Sequence, residues 1–363
     1  MMKTSLSVAL ALSIGAWAGA ASVAGAQQLS AAERLYADLA KLPPAEREAK
    51  LIEGAKKEGE IYLIDTVRGR DGREYVKLFA NRFPYLQVKA SESGSQEAAE
   101  RIVTEEAVGR HLTDAAMLAV PDMGEIVRKD LAARFPTPET KRILPRYGKT
   151  LDDQNRWVPF YTLNHGITYN PTVIPPDKAP RSWMDLCNPQ YKGEMSFDPV
   201  ETRFLVGLHE ILGGEQKVKE WLECIGKNGP IVMRGHTARA MLMLAGDHGI
   251  GADQYLYMGS RRNLENPKKA PFKVVYEAPI MTWAGGIVIN RNTPRAHASG
   301  LLGDWALSDE SQKYQAGLWR GPLTLPHPFL PEQVTSIVLG WVEKDLVDRL
   351  HGYWDMHMSK ARQ

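Results

Sequence analysis

The sequence predicts an α/β protein made of two doubly wound lobes. Strand, loop and helix patterns alternate along the chain, and the strands are continuous apolar runs, which is typical of parallel strands covered by helices on both faces. The chain also has 363 residues. That length exceeds what one compact core usually serves and suits two lobes, each with its own core.

The first lobe opens with helices and continues as repeated strand–helix units. Apolar residues at three-to-four spacing predict helices over residues 30–58, which Pro43 and Pro44 divide and Gly59 ends. The pattern then gives, in order, a strand at 61–64, a loop at 65–72, a helix at 74–82, a strand at 86–88, a loop at 91–95, a helix at 96–109 and a strand at 115–118.

The character of the chain changes near residue 157, where two extended segments are predicted to cross between lobes. The later elements, in order, are extended segments at 157–161 and 166–170, a short helix capped by Ser182, a strand at 195–197, helices at 202–212, around Trp221 and at 238–244, and a glycine-rich strand at 285–290. We therefore assign residues 27–160 and 284–363 to lobe 1 and residues 161–283 to lobe 2, with a ligand cleft between them.

The N-terminus predicts export. Lys3 precedes an apolar run at residues 6–20, and residues 24–26 (AGA) give the small-x-small pattern of a signal peptidase site. We expect residues 1–26 to be a signal peptide and the mature protein to be periplasmic. An uncleaved anchor is the alternative, but the apolar run is short for a bilayer span.

Composition and cysteine content narrow the function. The chain is 44% hydrophobic and 24% charged with a formal net charge of +2, so there is no electrostatic case for nucleic acid or an acidic membrane. Export places Cys187 and Cys224 in an oxidising compartment, where they either form a disulfide or remain two buried thiols. No Gly-x-Ser-x-Gly or His-Glu-x-x-His motif is present, and we expect a binding protein rather than an enzyme.

Four stretches together resemble the ferric-iron, thiamine and phosphonate branch of the type II periplasmic binding proteins. They are residues 55–60 (AKKEGE), 79–88 (FANRFPYLQV), 179–193 (APRSWMDLCNPQYKG) and 303–312 (GDWALSDESQ). The resemblance implies two α/β lobes joined by two crossover strands, a small ligand captured in the cleft by hinge closure, and the permease of an ABC importer as partner. We expect no cofactor and a monomer.

Candidate ligand contacts come from a physical rule. Loops that follow parallel strands, and the helix N-termini beside them, face the cleft and offer free N–H groups to anions. The rule selects Thr66, Arg68, Ser93, Gly94 and Ser95 in lobe 1, and Glu201, Thr202, Arg203, Arg234, His236 and Thr237 in lobe 2. Tyr161 and Trp283, on the two crossovers, are expected to border the cleft. Ordinary helix caps and solvated arginines are the alternative for these loops.

These residue types favour a small anion, either a carboxylate or an organic phosphate or phosphonate. A ferric ion held by Tyr255 and Tyr257 is the alternative, because ferric-binding members carry adjacent tyrosines in this segment. Here one residue separates the two tyrosines, which on a strand would place both on one face. Tyr255 is a candidate contact in either case. Two further classes stay open: a secreted enzyme on the same fold and a ligand sensor for a membrane receptor.

Overall fold

The structure is a computed structural model that describes residues 28–199 and 202–358. The helices over this range are α1 (Ala31–Leu39), α2 (Pro44–Glu58), α3 (Gly69–Arg82), α4 (Ser95–Ala107), α5 (Gly124–Arg128), α6 (Thr202–Leu212), α7 (Glu215–Lys227), α8 (His236–Ala245), α9 (Leu256–Glu265), α10 (Ala296–Trp305), α11 (Asp309–Gly317) and α12 (Lys344–Met358). The strands are β1 (Glu60–Asp65), β2 (Gln87–Glu92), β3 (Ala115–Ala119), β4 (Val158–Tyr169), β5 (Met195–Phe197), β6 (Ile231–Val232), β7 (Ile250–Tyr255), β8 (Lys273–Val274), β9 (Ile280–Ile289) and β10 (Ser336–Leu339). The predicted signal peptide lies outside the described residues.

The strands form one sheet in the order β2-β1-β3-β9-β4-β7-β5-β6, with β10 added beside β9 and β8 beside β4. Strands β1, β2 and β3 are parallel, and so are β5, β6 and β7. Between these two groups, β4 and β9 pair antiparallel as a long ribbon that belongs to both. Two parallel half-sheets joined by two crossover strands confirm the predicted fold class.

Local sequence explains how the first elements begin and end. Ser30 and Glu33 form a reciprocal cap at the start of α1, in which each side chain accepts an N–H from the other residue. Pro43 and Pro44 separate α1 from α2, and α2 ends at Gly59, whose φ of 72° is the left-handed conformation that favours glycine. The chain therefore enters β1 at a fixed angle.

Each half of the sheet has its own core. The first contains Tyr36, Phe79 and Phe135, and the second contains Trp183 and Trp221. The C-terminal helix α12 packs on α6 and α7, so its apolar side belongs to the second core. The sequence division had placed this helix in lobe 1. The difference arises because α12 covers apolar surface that α6 and α7 would otherwise expose to water.

The strand registers bring the carboxyl ends of both half-sheets to the middle of the ribbon. At the end of β3, Ala119 pairs with Gly285 of β9, and Gly285 pairs with Tyr161 of β4. At the end of β7, Tyr255 pairs with His165, four residues further along β4. The loops after the parallel strands therefore face one another across the ribbon, as expected of a ligand cleft.

Candidate functional site

The first-lobe loops fold around a carboxylate of their own. The carboxylate of Asp65, at the end of β1, accepts the N–H groups of Val67 and Arg68 at 2.8 and 3.3 Å. The Thr66 hydroxyl donates to the Met117 carbonyl. Arg68 has a φ of 59° and an exposed side chain. Thr66 is thus engaged with the sheet, and Asp65 occupies the N–H groups that an anion would need.

The loop before α4 is also internally satisfied. Glu97 Oε2 accepts the Gly94 N–H at 3.0 Å and the Ser93 hydroxyl at 3.2 Å. These two hydrogen bonds hold the pKa of Glu97 below its usual value, so it is an anion at neutral pH. Ser95 Oγ accepts the Ala119 N–H at 3.0 Å and ties α4 to the end of β3. The helix N-terminus therefore carries a resident negative charge.

In the second-lobe loop before α8, a carboxylate of the protein again accepts a backbone N–H group. Asp198, just after β5, accepts the Gly235 N–H at 2.8 Å. Nδ1 of His236 lies 2.9 Å from Arg239 Nη2, and the Thr237 hydroxyl lies 3.7 Å from Met258 Sδ. The side chain of Arg234 is exposed. In these three loops, a carboxylate of the protein stands where the rule for helix N-termini expects the ligand.

Two predicted residues at the start of α6 stay untested. Glu201 lies outside the described residues. Thr202 is the first residue of α6, and its side-chain contacts are not described. Both remain predictions from the position of the loop after β5.

The crossover ribbon presents two aromatic side chains on one face, each with an arginine over its ring. Tyr161 and Trp283 share a face because Tyr161 pairs with Gly285 and Trp283 lies two residues before it. The guanidinium carbon of Arg203, from α6, lies 5.3 Å from the Trp283 ring centroid. That of Arg320 lies 4.8 Å from the Tyr161 ring centroid. We call these four residues, at the junction of the two cores, the arginine–aromatic platform.

The absence of a side chain at Gly285 leaves room for the Tyr161 ring. A Cβ atom added to Gly285 would stand 2.4 Å from Tyr161 Cε1. Any side chain at this position would therefore displace the ring. The glycine that marks the second crossover in the sequence has a role in shaping the platform.

Arg203 also links the lobes. Its Nη1 lies 3.2 Å from Asp122 Oδ2, in the loop after β3. The pair is partly buried, with 21% of the arginine side chain and 8% of the aspartate side chain exposed. Asp122 follows β3 of the first half-sheet and Arg203 lies in α6, after β5 of the second, so the contact bridges the two halves.

Arg320 is a candidate site residue that sequence reasoning missed. It is only 8% exposed, and its Nε and Nη1 have no hydrogen-bond partner among the described residues. The Trp283 ring is fully buried, and its Nε1 also lacks an acceptor within the same ranges. A buried donor without an acceptor is unfavourable by about 1–3 kcal/mol, and more when it is charged. The platform therefore presents N–H groups whose acceptors the chain does not supply.

Burial keeps the neighbouring tyrosines protonated. It raises the pKa of Tyr161, against the opposing charges of Arg320 and Arg203. It also raises the pKa of Tyr257, against the charge of Arg320 and a hydrogen bond from it. Both hydroxyls are therefore hydrogen-bond donors at neutral pH. Burial raises the pKa of Asp65 as well, against two backbone hydrogen bonds and the charge of Arg320.

The residues proposed for iron lie on the lobe-2 side of the platform. The Tyr255 ring centroid lies 3.8 Å from that of His165 and 4.2 Å from that of His236. Tyr255 caps α9 and Tyr257 lies in its first turn, with the two ring centroids 5.9 Å apart. The spacing would place the two tyrosines on one face if both lay on a strand. In the structure Tyr255 ends β7 and Tyr257 lies in α9, so they do not share a strand. Within residues 28–199 and 202–358, no group of three or more His, Cys, Asp or Glu side chains is placed to hold a metal ion.

The two cysteines lie together in the second lobe. Cys187 and Cys224 are joined in a disulfide with their Cα atoms 5.4 Å apart. The bridge ties the segment before β5 to α7. Both cysteines pack against the second core, so the bridge stabilises this half of the protein.

The fold matches a known class of proteins. The family model of the bacterial extracellular solute-binding proteins matches residues 119–341. No helix in the described part of the chain is both long and apolar enough to cross a membrane. No curated protein matches the chain.

Solved structures support the fold. The chain is similar to iron-bound HitA from Pseudomonas aeruginosa, with a TM-score of 0.67, 17% identity, and 84% of this chain and 98% of that chain covered. It is also similar to AfuA from Actinobacillus pleuropneumoniae with bound fructose-6-phosphate, with a TM-score of 0.62, 16% identity, and coverage of 83% and 99%. A third is the spermidine/putrescine protein PotD from Streptococcus pneumoniae, with a TM-score of 0.63, 17% identity, and coverage of 84% and 99%. These likenesses show the fold, and their ligands differ from one protein to the next. Together with the family match, they show that the chain belongs to the bacterial extracellular solute-binding proteins and has the two-lobed type II periplasmic binding fold.

Proposed function

We propose that this protein is the periplasmic solute-binding component of an ABC importer and that its solute is a small organic anion: a carboxylate, an organic phosphate or a phosphonate. The observation that carries the proposal is the arginine–aromatic platform at the junction of the lobes. Arg203 and Arg320, from separate parts of the chain, both lie there. N–H groups of Arg320 and Trp283 have no hydrogen-bond acceptor within the described residues. Oxygen atoms of an anion are the acceptors that guanidinium groups bind most strongly.

The burial of the platform makes the charge of the ligand the main determinant of which ligand binds. In a cleft shielded from water, an electrostatic interaction is worth several times its value in bulk solvent. Guanidinium groups held over aromatic rings are also fixed in direction, so little side-chain entropy is lost on binding. A cationic ligand would meet this platform with like charge. A neutral ligand would bring Arg320 no counter-charge beyond that of Asp65, which acts on it through space.

Hinge closure follows from the distribution of the site over both lobes. Tyr161 belongs to the first core and Arg320 lies over its ring, whereas Arg203 and Tyr257 lie in α6 and α9 of the other half. A ligand that contacts both sets binds the closed form better than the open form and shifts the population toward closure. The permease would then recognise the closed protein, and the ligand would be released unchanged.

The test begins with native mass spectrometry of the mature protein purified from a periplasmic extract, before and after unfolding and refolding. An organic anion that is bound at first and lost on refolding supports the proposal. The refolded protein is then mixed with acetate, citrate, inorganic phosphate or methylphosphonate, with choline as a cationic control. A rise in melting temperature with an anion and none with choline is expected. No bound anion and no response to any of the four probes would remove the basis of the proposal.

Recovery of the bound molecule separates a carrier from an enzyme on the same fold. A carrier returns its ligand unchanged after prolonged incubation, as judged by mass. A product of altered mass would favour the enzyme.

A ferric ion is the second candidate, favoured by the position of Tyr255 between two histidine rings. The refolded protein is mixed with ferric citrate, and a tyrosinate-to-iron charge-transfer band in the visible region is sought. For iron we expect the band to be lost in Tyr255→Phe and kept in Tyr276→Phe, a control tyrosine outside the platform. If no band forms in the wild-type protein, iron is excluded and the anion proposal is unaffected.

A further inference from the structure

We propose that Arg320 is the principal anchor of the ligand and that its Nε and Nη1 donate to the oxygen atoms of one carboxylate, phosphate or phosphonate group. This inference rests on the proposed function and makes it specific. It locates the anionic group at the crossover ribbon, whereas the sequence pointed to the helix N-termini. The residue lies in a segment after α11 that no strand–helix pattern selects.

The backbone holds Arg320 in place from both sides. Its own N–H donates to the Gln315 carbonyl at 3.1 Å, at the end of α11. The next residue, Gly321, exchanges two hydrogen bonds with Thr162 of β4, at 2.7 and 2.9 Å. A Cβ atom on Gly321 would stand 2.0 Å from Thr162 Oγ1, so this close approach requires glycine. The side chain of Arg320 is thereby directed over Tyr161, the neighbour of Thr162.

The groups that face Arg320 do not neutralise it fully. Tyr257 accepts a hydrogen bond from the guanidinium, which leaves the Nε and Nη1 atoms without partners within the described residues. Asp65 is the carboxylate that acts on Arg320 through space. Its Oδ1 is occupied by two backbone N–H groups. Its Oδ2 packs against Gly72, where an added Cβ would stand 2.0 Å away, and has no hydrogen-bond partner in this part of the chain.

The helix N-termini and Arg203 already have partners within the protein. Asp65, Glu97 and Asp198 occupy the helix N-termini, and Arg203 is paired with Asp122. Arg320 differs because it is nine-tenths buried and keeps N–H groups unsatisfied. Burial of an arginine in this state is costly unless an acceptor arrives, and an anion from solution supplies both the acceptor and the counter-charge. Buried water is the competing occupant.

The experiment compares the refolded wild-type protein with Arg320→Gln and Arg320→Lys. The probes are acetate, citrate, inorganic phosphate and methylphosphonate, and affinities are measured by isothermal titration calorimetry. Arg82→Gln, an exposed arginine at the far end of α3, is the matched control. We expect Arg320→Gln to weaken binding of the responsive probe roughly 30- to 100-fold, and the control to leave it unchanged. Arg320→Lys keeps the charge without the planar fork and is expected to lose roughly tenfold.

Melting temperature without ligand separates an anchor from a structural arginine. If Arg320 is the anchor, the ligand-free Gln variant melts at or above the wild-type temperature, because an unsatisfied buried charge has been removed. If Arg320 is structural, the ligand-free variant melts lower and its residual binding follows its stability. Should the Gln variant not fold, the Lys variant provides the same comparison.

The outcomes distinguish this inference from the function on which it rests. Equal affinity of the wild-type and Arg320→Gln proteins for a responsive probe overturns the inference, points to water beside Arg320, and leaves the anion-binding function intact. A wild-type protein that binds none of the probes overturns both. Discrimination between the flat carboxylate probes and the tetrahedral phosphorus probes assigns the chemical class of the anchored group.

Discussion

The ion pair between Asp122 and Arg203 should bias the protein toward its closed form even without ligand. It is a direct charge contact across the lobes, 3.2 Å between Oδ2 and Nη1. Replacing Asp122 with Asn keeps the shape of the side chain and removes its charge. The closed form loses an attraction that the open form never had, so the open–closed equilibrium shifts toward open.

The size of the shift follows from the burial of the pair. An exposed ion pair contributes about 0.2–1 kcal/mol, and a hydrogen bond to a buried charged group about 1.5–3 kcal/mol. With 21% and 8% of the two side chains exposed, the pair lies between these cases. We take about 1 kcal/mol, which corresponds to a roughly fivefold change in an equilibrium constant. If the closed form is the minor one without ligand, the apparent affinity falls by the same factor.

Two measurements check this prediction. Calorimetry with a responsive anion should show a roughly fivefold weaker affinity for Asp122→Asn, and small-angle scattering should show a larger mean radius of gyration without ligand. Glu125→Gln is the control, because Glu125 is an exposed acid nearby in the same lobe. If Asp122→Asn matches this control in both measurements, the pair does not bias closure.

Three further predictions concern stability and the shape of the site. Reduction of the disulfide between Cys187 and Cys224, which closes a separation of 37 residues, should lower the free energy of unfolding by about 4 kcal/mol in urea titrations; a double Cys→Ser variant should be equally unstable and indifferent to reductant. Gly285→Ala places a Cβ atom 2.4 Å from the Tyr161 ring, so it should cost about 1–3 kcal/mol and weaken anion binding, as judged by melting and calorimetry; unchanged melting would contradict the packing described. Burial lowers the pKa of His327 to about 3, so below its unfolded value near 6.5 the unfolded state takes up a proton that the folded state excludes. Stability should therefore fall by up to about 2 kcal/mol between pH 7 and pH 5, and His327→Gln should flatten this slope.

The sequence allows the fold to be predicted because the fold depends on local patterns. Apolar runs bounded by loops identify β1 and β3, and the change of pattern near Trp157 marks the first crossover. Proline and glycine positions, such as Pro43 and Gly59, set boundaries that the structure reproduces. The position of α12 could not be predicted in this way, because the apolar face of a helix does not indicate which of two cores it packs against.

The site is harder to predict because its contacts are distant in the sequence. The rule for helix N-termini selects the loops after the parallel strands, but it cannot show which of their N–H groups already have an acceptor within the protein. Asp198 caps a loop 37 residues away, at Gly235. Arg320 reaches Tyr161 only because Gly321 pairs with Thr162, a contact between residues 159 positions apart. Whether an arginine is buried without hydrogen-bond acceptors depends on tertiary packing, which the spacing of residues in the sequence does not predict.

The division of the platform between the two lobes suggests an order of events. Arg320 and Tyr161 are held with the first core, because α11 packs on α3 and β4 and Gly321 is paired with β4. They are therefore in place in the open protein. An anion would meet Arg320 first, and Arg203 and Tyr257 would join only as the second lobe closes. Loss of Arg320 should then weaken the first capture of the anion, whereas loss of Arg203 should leave a complex that forms but no longer closes. Because Arg203 pairs with Asp122 across the lobes, this contact would form on closure, and the same arginine would report to the permease that a ligand is present.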